Sequence, residues 1–253
     1  MRSPGCAAHS REAGESPFGT APERPAAWLL IEHPGPWPAH GPPTGAPAAL
    51  GALLRQAESA GLRVQFIRRT AARRPVPPHT VYLAHTTGPR PWLVTAEIDE
   101  LDTLRRLDLA AVAAGRRPDF GTPCDPVLLV CTHGQREICC ARYGRPTALA
   151  LVERFGDAVW ETSHVGGDRF AGNIVCLPHG TYHGRASATN AASIGAAALR
   201  GDVVLRHFRG RSGWPAAVQA AECYARRATG VTEVRAVRWR DHQAQPDGRT
   251  QVD

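Results

Sequence analysis

Gly121-Thr122-Pro123-Cys124-Asp125-Pro126-Val127-Leu128-Leu129-Val130 decides how this chain divides. Its first five residues are rich in turn formers and read as a linker; the apolar run at 126–130 reads as a new buried strand. Upstream, one set of elements has already run its course. Residues 27–32 (AWLLIE) form an apolar strand closed by the Pro-rich HPGPWP segment. Leu50, Leu53, Leu54 and Ala57 recur at helical spacing before Gly61. Strand-like runs follow at 63–68, 80–84 and 92–96, then a second helical pattern on Leu101, Leu104 and Leu107 to a stop near Gly115.

Downstream of the linker the pattern starts again. A helix is expected over 146–155, strands over 159–163 and 173–177, and helices over 191–200 and 215–229, the last capped by Gly230. Residues 231–239 alternate apolar and polar side chains and read as one more strand. The first twenty residues read as an extended arm, and the polar tail 241–253 as frayed. The expected class is therefore α/β, with two successive units of mixed sheet, 1–122 and 123–240, each having the element order of a thioredoxin-like unit.

Hydrophobic residues make up 43% of the 253, enough for a packed core. No run approaches the roughly 20 apolar residues of a membrane-spanning helix, and the N-terminus lacks the apolar stretch of a secretory signal. A cytoplasmic protein with no membrane partner is expected. The net charge of +7 comes with arginine alone, since the chain has no lysine. These arginines are scattered and form no basic run with interleaved aromatics, so nucleic acid is not an expected partner. An acidic redox partner would be steered toward such a surface.

Seven cysteines are present, five of them between positions 124 and 176. An odd number so clustered points to metal or redox chemistry rather than to a disulfide framework. The most informative segment runs from Val130 to Cys140, VCTHGQREICC. A buried strand delivers Cys131 to a loop, and the next helix is expected after Cys140. Amides at such a junction stabilise thiolates, with Arg136 and Arg142 expected to help. There is no Cys-x-x-Cys, and adjacent Cys139 and Cys140 would point about 100° apart on a helix, so only one of them is expected at a metal. The second segment is Trp160 to Asn173, where a strand ends at His164, two glycines follow, and Asp168 lies four residues on. Cys6 and Cys223 read as incidental thiols, and Cys176 as a small hydrophobe in a strand.

These two segments resemble the sucrase/ferredoxin-like family of thioredoxin-fold ferredoxins. The resemblance extends from about Gly14 to Arg227. It takes in Gly19-Thr20-Ala21-Pro22 ahead of the first strand, and Arg209-Gly210-Arg211-Ser212 with the following Pro215, Gln219 and Glu222. It implies a 2Fe–2S cluster in the C-terminal unit, held by residues matching Cys131, Cys140 and His164. The family's His-x-Gly-Gly-His has Asp168 at its second histidine position here, which leaves the fourth ligand open among Asp168, Cys139, His133 and His183. The implied function is electron transfer, that of a carrier more than a catalyst, with the N-terminal unit as scaffold or docking surface. The alternatives are a metal-free thiol oxidoreductase or peroxide-responsive protein using Cys131 or Cys140, and a zinc site on the same residues. Arg169 is expected either to stabilise cluster charge or to pair with a surface acid.

Overall fold

The computed structural model describes residues 5–70, 75–245 and 250–252. In chain order its strands are β1 (Ala27–Glu32), β2 (Leu62–Arg68), β3 (His79–His85), β4 (Trp92–Ile98), β5 (Thr122–Pro123), β6 (Val127–Cys131), β7 (Val159–Thr162), β8 (Ile174–Leu177), β9 (Thr181–His183), β10 (Phe208–Arg211), β11 (His242–Ala244) and β12 (Thr250–Val252). Its helices are α1 (Cys6–Glu12), α2 (Ala48–Ser59), α3 (Leu109–Ala113), α4 (Ile138–Phe155), α5 (Ala191–Leu199) and α6 (Ala216–Thr229).

The α/β class holds, and the strands expected on either side of the linker share one mixed sheet. Its order is β10-β9-β8-β6-β7-β2-β1-β3-β4-β5. Each side is built alike. β1 and β2 run parallel, as do β6 and β7; β3 and β8 lie antiparallel on the other flank of β1 and β6; β4 and β9 complete antiparallel pairs with them. The two sets meet where β2 pairs antiparallel with β7, through only Ile67↔Thr162 and Arg68↔Glu161. An ion pair reinforces this seam: Arg68 Nη2 and Nε donate to Glu161 Oε2 at 2.7 and 2.9 Å, and Thr132 Oγ1 donates to the same oxygen at 2.7 Å.

β1 and β6 are buried along their whole length because both faces of the sheet are covered. Ala27, Leu29 and Ile31 pack beneath α2 and α3 with Leu50, Leu53 and Val112. Leu128 and Val130 pack with Leu151 and Ile194 of α4 and α5. The alternate residues, Trp28 and Leu30 on one side and Leu129 and Cys131 on the other, join a single cluster with Tyr82, Trp160 and Tyr182. Cys131 and Cys140 belong to that shared core.

Several local expectations are corrected. The N-terminal arm contains α1, which packs on the 3-10 turn Asp168–Phe170 and is held there by Arg11 Nη2 donating to Ala171 O at 2.6 Å. Helix α4 starts at Ile138, ahead of both Cys139 and Cys140, because Glu137 caps it by accepting from Cys139 N. The run 231–239 is not a strand but holds the 3-10 turn Val234–Ala236; its carbonyls at Val231, Glu233, Val234 and Val237 accept from the buried guanidiniums of Arg211 and Arg226. The tail pairs β11 with β12.

One buried base gives a pH signature. His183 lies fully buried on β9 against Phe208, with Nδ1 unpartnered and Nε2 accepting from Val204 N at 3.4 Å. Burial pushes its pKa down to about 3. The unfolded chain therefore takes up this proton first as pH falls below about 6.5, and stability drops by about 1.4 kcal/mol per pH unit from there until the folded ring titrates. Urea unfolding at pH 7.5 and 5.5 should show His183→Leu losing about 1.4 kcal/mol less than the parent over that interval. An equal loss in both proteins would contradict it.

Candidate metal centre

Cys131 ends β6 in the core, and Cys140 enters from the first turn of α4. Gly144 lets these two elements touch: a Cβ there would stand 1.9 Å from the Cys131 carbonyl oxygen. His164 follows β7, and its ligand nitrogen lies within 4.8 Å of both thiol sulfurs. Asp168 opens the next 3-10 turn; its Oδ1 accepts from the Cys140 thiol at 3.2 Å and stands 3.1 Å from His164 Nδ1. The four sequence-derived candidates, Cys131, Cys140, His164 and Asp168, thus converge.

The two thiols are shifted in opposite directions. The hydrogen bond between them holds Cys131 well below the ordinary thiol value despite complete burial, with His164 and the backbone amides of His133 and Val165 adding to the effect. Cys140 is pushed far upward by that same hydrogen bond, by burial, and by the charges of Cys131 and Asp168. Arg136 and Arg142, expected to assist, are exposed and are not among the main causes of either thiol's shift.

The other candidates for a fourth position are directed elsewhere. His133 is buried with its ring centroid 6.5 Å from that of His164, and its Nε2 lies 3.2 Å from Trp37 O. His183 faces Phe208. Cys139 points away from Cys140 and, with Cys6 and Glu137, forms a second group. Cys6, remote in sequence and read as an incidental thiol, lies within 4.8 Å of both partners in that group. Cys176 and Cys223 are buried with pKa values raised by burial to about 12 and about 11, as inert core thiols should be.

The loop carrying His164 is fixed from three directions. Gly166 and Gly167 adopt φ of 91° and 77°, a region that glycine enters without penalty. A Cβ on Gly167 would lie 2.2 Å from Arg209 Nη2. Arg209, which sequence reading placed only in a family motif, is a fully buried guanidinium donating to Gly166 O (3.1 Å), Asn173 Oδ1 (2.8 Å) and Thr20 O (2.6 Å). From the N-terminal side, Arg63 Nη2 and Gln65 Nε2 donate to His164 O at 3.1 and 3.2 Å. Arg169, by contrast, pairs with Glu15 at 2.5 Å on the surface. His164 also borders an open groove of about 1020 Å³, shared with Trp37, Arg55, Arg63, His133 and Arg136.

The chain belongs to the sucrase/ferredoxin-like family, whose model matches residues 19–210, well over half its length. No curated protein and no solved structure matches it. Among the described residues no helix is long and apolar enough to cross a membrane.

Proposed function

We propose that this protein holds a 2Fe–2S cluster on Cys131, Cys140, His164 and Asp168 and serves as an electron carrier. The observation that carries the reading is the convergence of two buried thiols and one imidazole within 4.8 Å, with the Asp168 carboxylate in contact with Cys140 and His164. Thiolates and imidazole suit iron, and a carboxylate suits its ferric state. Bound there, the cluster would supply one-electron storage. Both thiols give up their protons on ligation, and the depressed Cys131 thiol does so more readily than Cys140. Arg209 keeps the His164 loop in place and sets a positive charge behind it. Family membership supports the reading as well.

In this reading residues 1–122 and 123–240 are two thioredoxin-like units, a view favoured by the same strand connectivity on both sides of β2 and β7. The first unit is the scaffold that grips His164 through Arg63 and Gln65. The groove beside His164 carries Arg24, Arg55, Arg63 and Arg136 against Glu58, which suits an acidic redox protein as partner. Its seven free cysteines suit a reducing compartment, and we place it in the cytoplasm.

A single ion on the same residues is the second reading. The closeness of Cys131, Cys140 and His164, all within 4.8 Å of one another, favours it, since ligands around one tetrahedral ion stand about 3–4 Å apart. Anaerobic purification with iron and acid-labile sulfide measured per chain separates the two. About two iron and two sulfide per chain are expected, lost in Cys131→Ser. In Asp168→His, which removes one anionic donor, the reduction potential should rise by on the order of 100 mV. Metal without sulfide would replace the cluster with the single ion; a metal-free chain would leave the thiol chemistry of Cys131.

A further inference from the structure

Cys139 and Cys140 are neighbours on α4, so their side chains leave the helix about 100° apart and serve different surroundings. Cys140 faces Cys131. Cys139 faces the N-terminal helix, where Cys6 Sγ, Glu137 carboxylate oxygen and Cys139 Sγ all lie within 4.8 Å of one another. The group is partly buried, with Cys139 in the interior and Cys6 and Glu137 half-buried: Ala7, Ala171 and Tyr143 pack around the two cysteines, and a Cβ on Gly5 would come 2.4 Å from Cys139 Sγ. Among the described residues Glu137 takes part in no salt bridge, so its carboxylate confronts two thiols with no cation opposite. Helix α1 is already anchored through Arg11 to Ala171 O and through Arg185 to Ser10 and Glu15 O, so the three donors are brought together by contacts that do not depend on an ion.

We propose that Cys6, Glu137 and Cys139 bind a zinc-class divalent ion at a site separate from Cys131, Cys140 and His164. Two thiolates and a carboxylate are a donor set that borderline-soft divalent ions take in tetrahedral geometry, with water completing the fourth position. Binding releases both thiol protons to solvent and leaves the metal without redox change. It ties the N-terminal segment to the start of α4, next to Asp168. Loading therefore fastens α1 where it already sits, on the Asp168–Phe170 turn beside the neighbouring centre.

The test uses the full chain with zinc alone as the probe, in a Cys131→Ser background that disables the other thiol set. About one zinc per chain is expected to survive gel filtration. Adding Cys6→Ser, a half-buried position near the chain end, should abolish retention, and adding Glu137→Gln should weaken it by at least about tenfold. Zinc should also slow tryptic cleavage at Arg11 in the Cys131→Ser protein and leave it unchanged once Cys6 is replaced. No zinc in the Cys131→Ser protein, or zinc equally retained with Cys6→Ser, would overturn the proposal. In protein with Cys131 and Cys6 intact, absence of iron and sulfide would count against the cluster alone, because zinc held through Cys6 is measured separately.

Discussion

Glu222→Ala should unfold the protein, or bring it to the edge of unfolding, at room temperature. Glu222 is buried on α6, and its Oε1 accepts from Arg211 Nη2 at 2.5 Å, Arg211 Nε at 2.8 Å and Arg226 Nε at 2.9 Å. Both arginines are themselves buried. Truncating the acid leaves two guanidiniums facing each other out of reach of water. Removing one partner of a buried pair costs about 3–5 kcal/mol, and here one carboxylate serves two cations. Whole domains of this size are stable by only about 5–15 kcal/mol. Burial already pushes the Arg211 pKa below its ordinary value, with Glu222 opposing that shift. Chemical denaturation should give a midpoint far below the parent's, and Glu222→Gln should fall between them because it keeps an acceptor. A loss under about 1 kcal/mol, the level of an exposed pair, would show that the arginines find other partners.

That network explains residues whose spacing gave no chemical reason. Gln219 Oε1 accepts from Ala21 N, and Gln219 Nε2 donates to Ala21 O and Trp214 O. Arg209 links Thr20 to Gly166 and Asn173. The Gly19–Pro22 stretch and the Arg209-Gly210-Arg211-Ser212 stretch, far apart in sequence, thus form one bracket around the His164 loop. A pattern of letters signals that they belong together without signalling what they grip.

Legibility followed locality. The strand at 126–130 was readable because both faces are apolar, and the helix at 48–59 because Leu50, Leu53 and Ala57 repeat at helical spacing. The joining of both strand sets into one sheet was not readable, since two residue pairs between β2 and β7 leave no periodic trace. The approach of Cys131, Cys140, His164 and Asp168 was anticipated from motif, and their spacing in the fold follows from backbone contacts such as the one at Gly144. The helix Cys6–Glu12 was not legible because a Gly-, Ser- and Pro-rich start suggests an arm, whereas α1 gains its stability from docking on the Asp168–Phe170 turn. β9 (TYH) and β10 (FRGR) were not legible because they are short and offer no apolar run, unlike IVCL of β8.

Gly144→Ala pits helix propensity against a backbone clash. In an open helix, alanine for glycine gains about 1 kcal/mol. At position 144 the new methyl would meet the Cys131 carbonyl oxygen at 1.9 Å, its carbon at 3.0 Å and Thr132 Cα at 3.5 Å. These are main-chain atoms of a strand locked between β7 and β8, so neither rotamer change nor side-chain retreat relieves the contact. Helix α4 must instead lift from β6 by roughly 1.5 Å to reach ordinary contact, and that separation falls between the Cys131 and Cys140 thiols. Overpacking of this kind costs about 1–3 kcal/mol, which outweighs the propensity gain. The larger effect is on the centre, where donors tolerate only about 0.5 Å of misplacement: metal retention after dialysis against a chelator should fall at least about tenfold. Gly51→Ala in α2 is the control, because its methyl meets only Arg55 Nη1 at 3.7 Å and should be neutral or stabilising. If both variants retain metal and melt alike, the close approach of α4 to β6 does not set the position of Cys140.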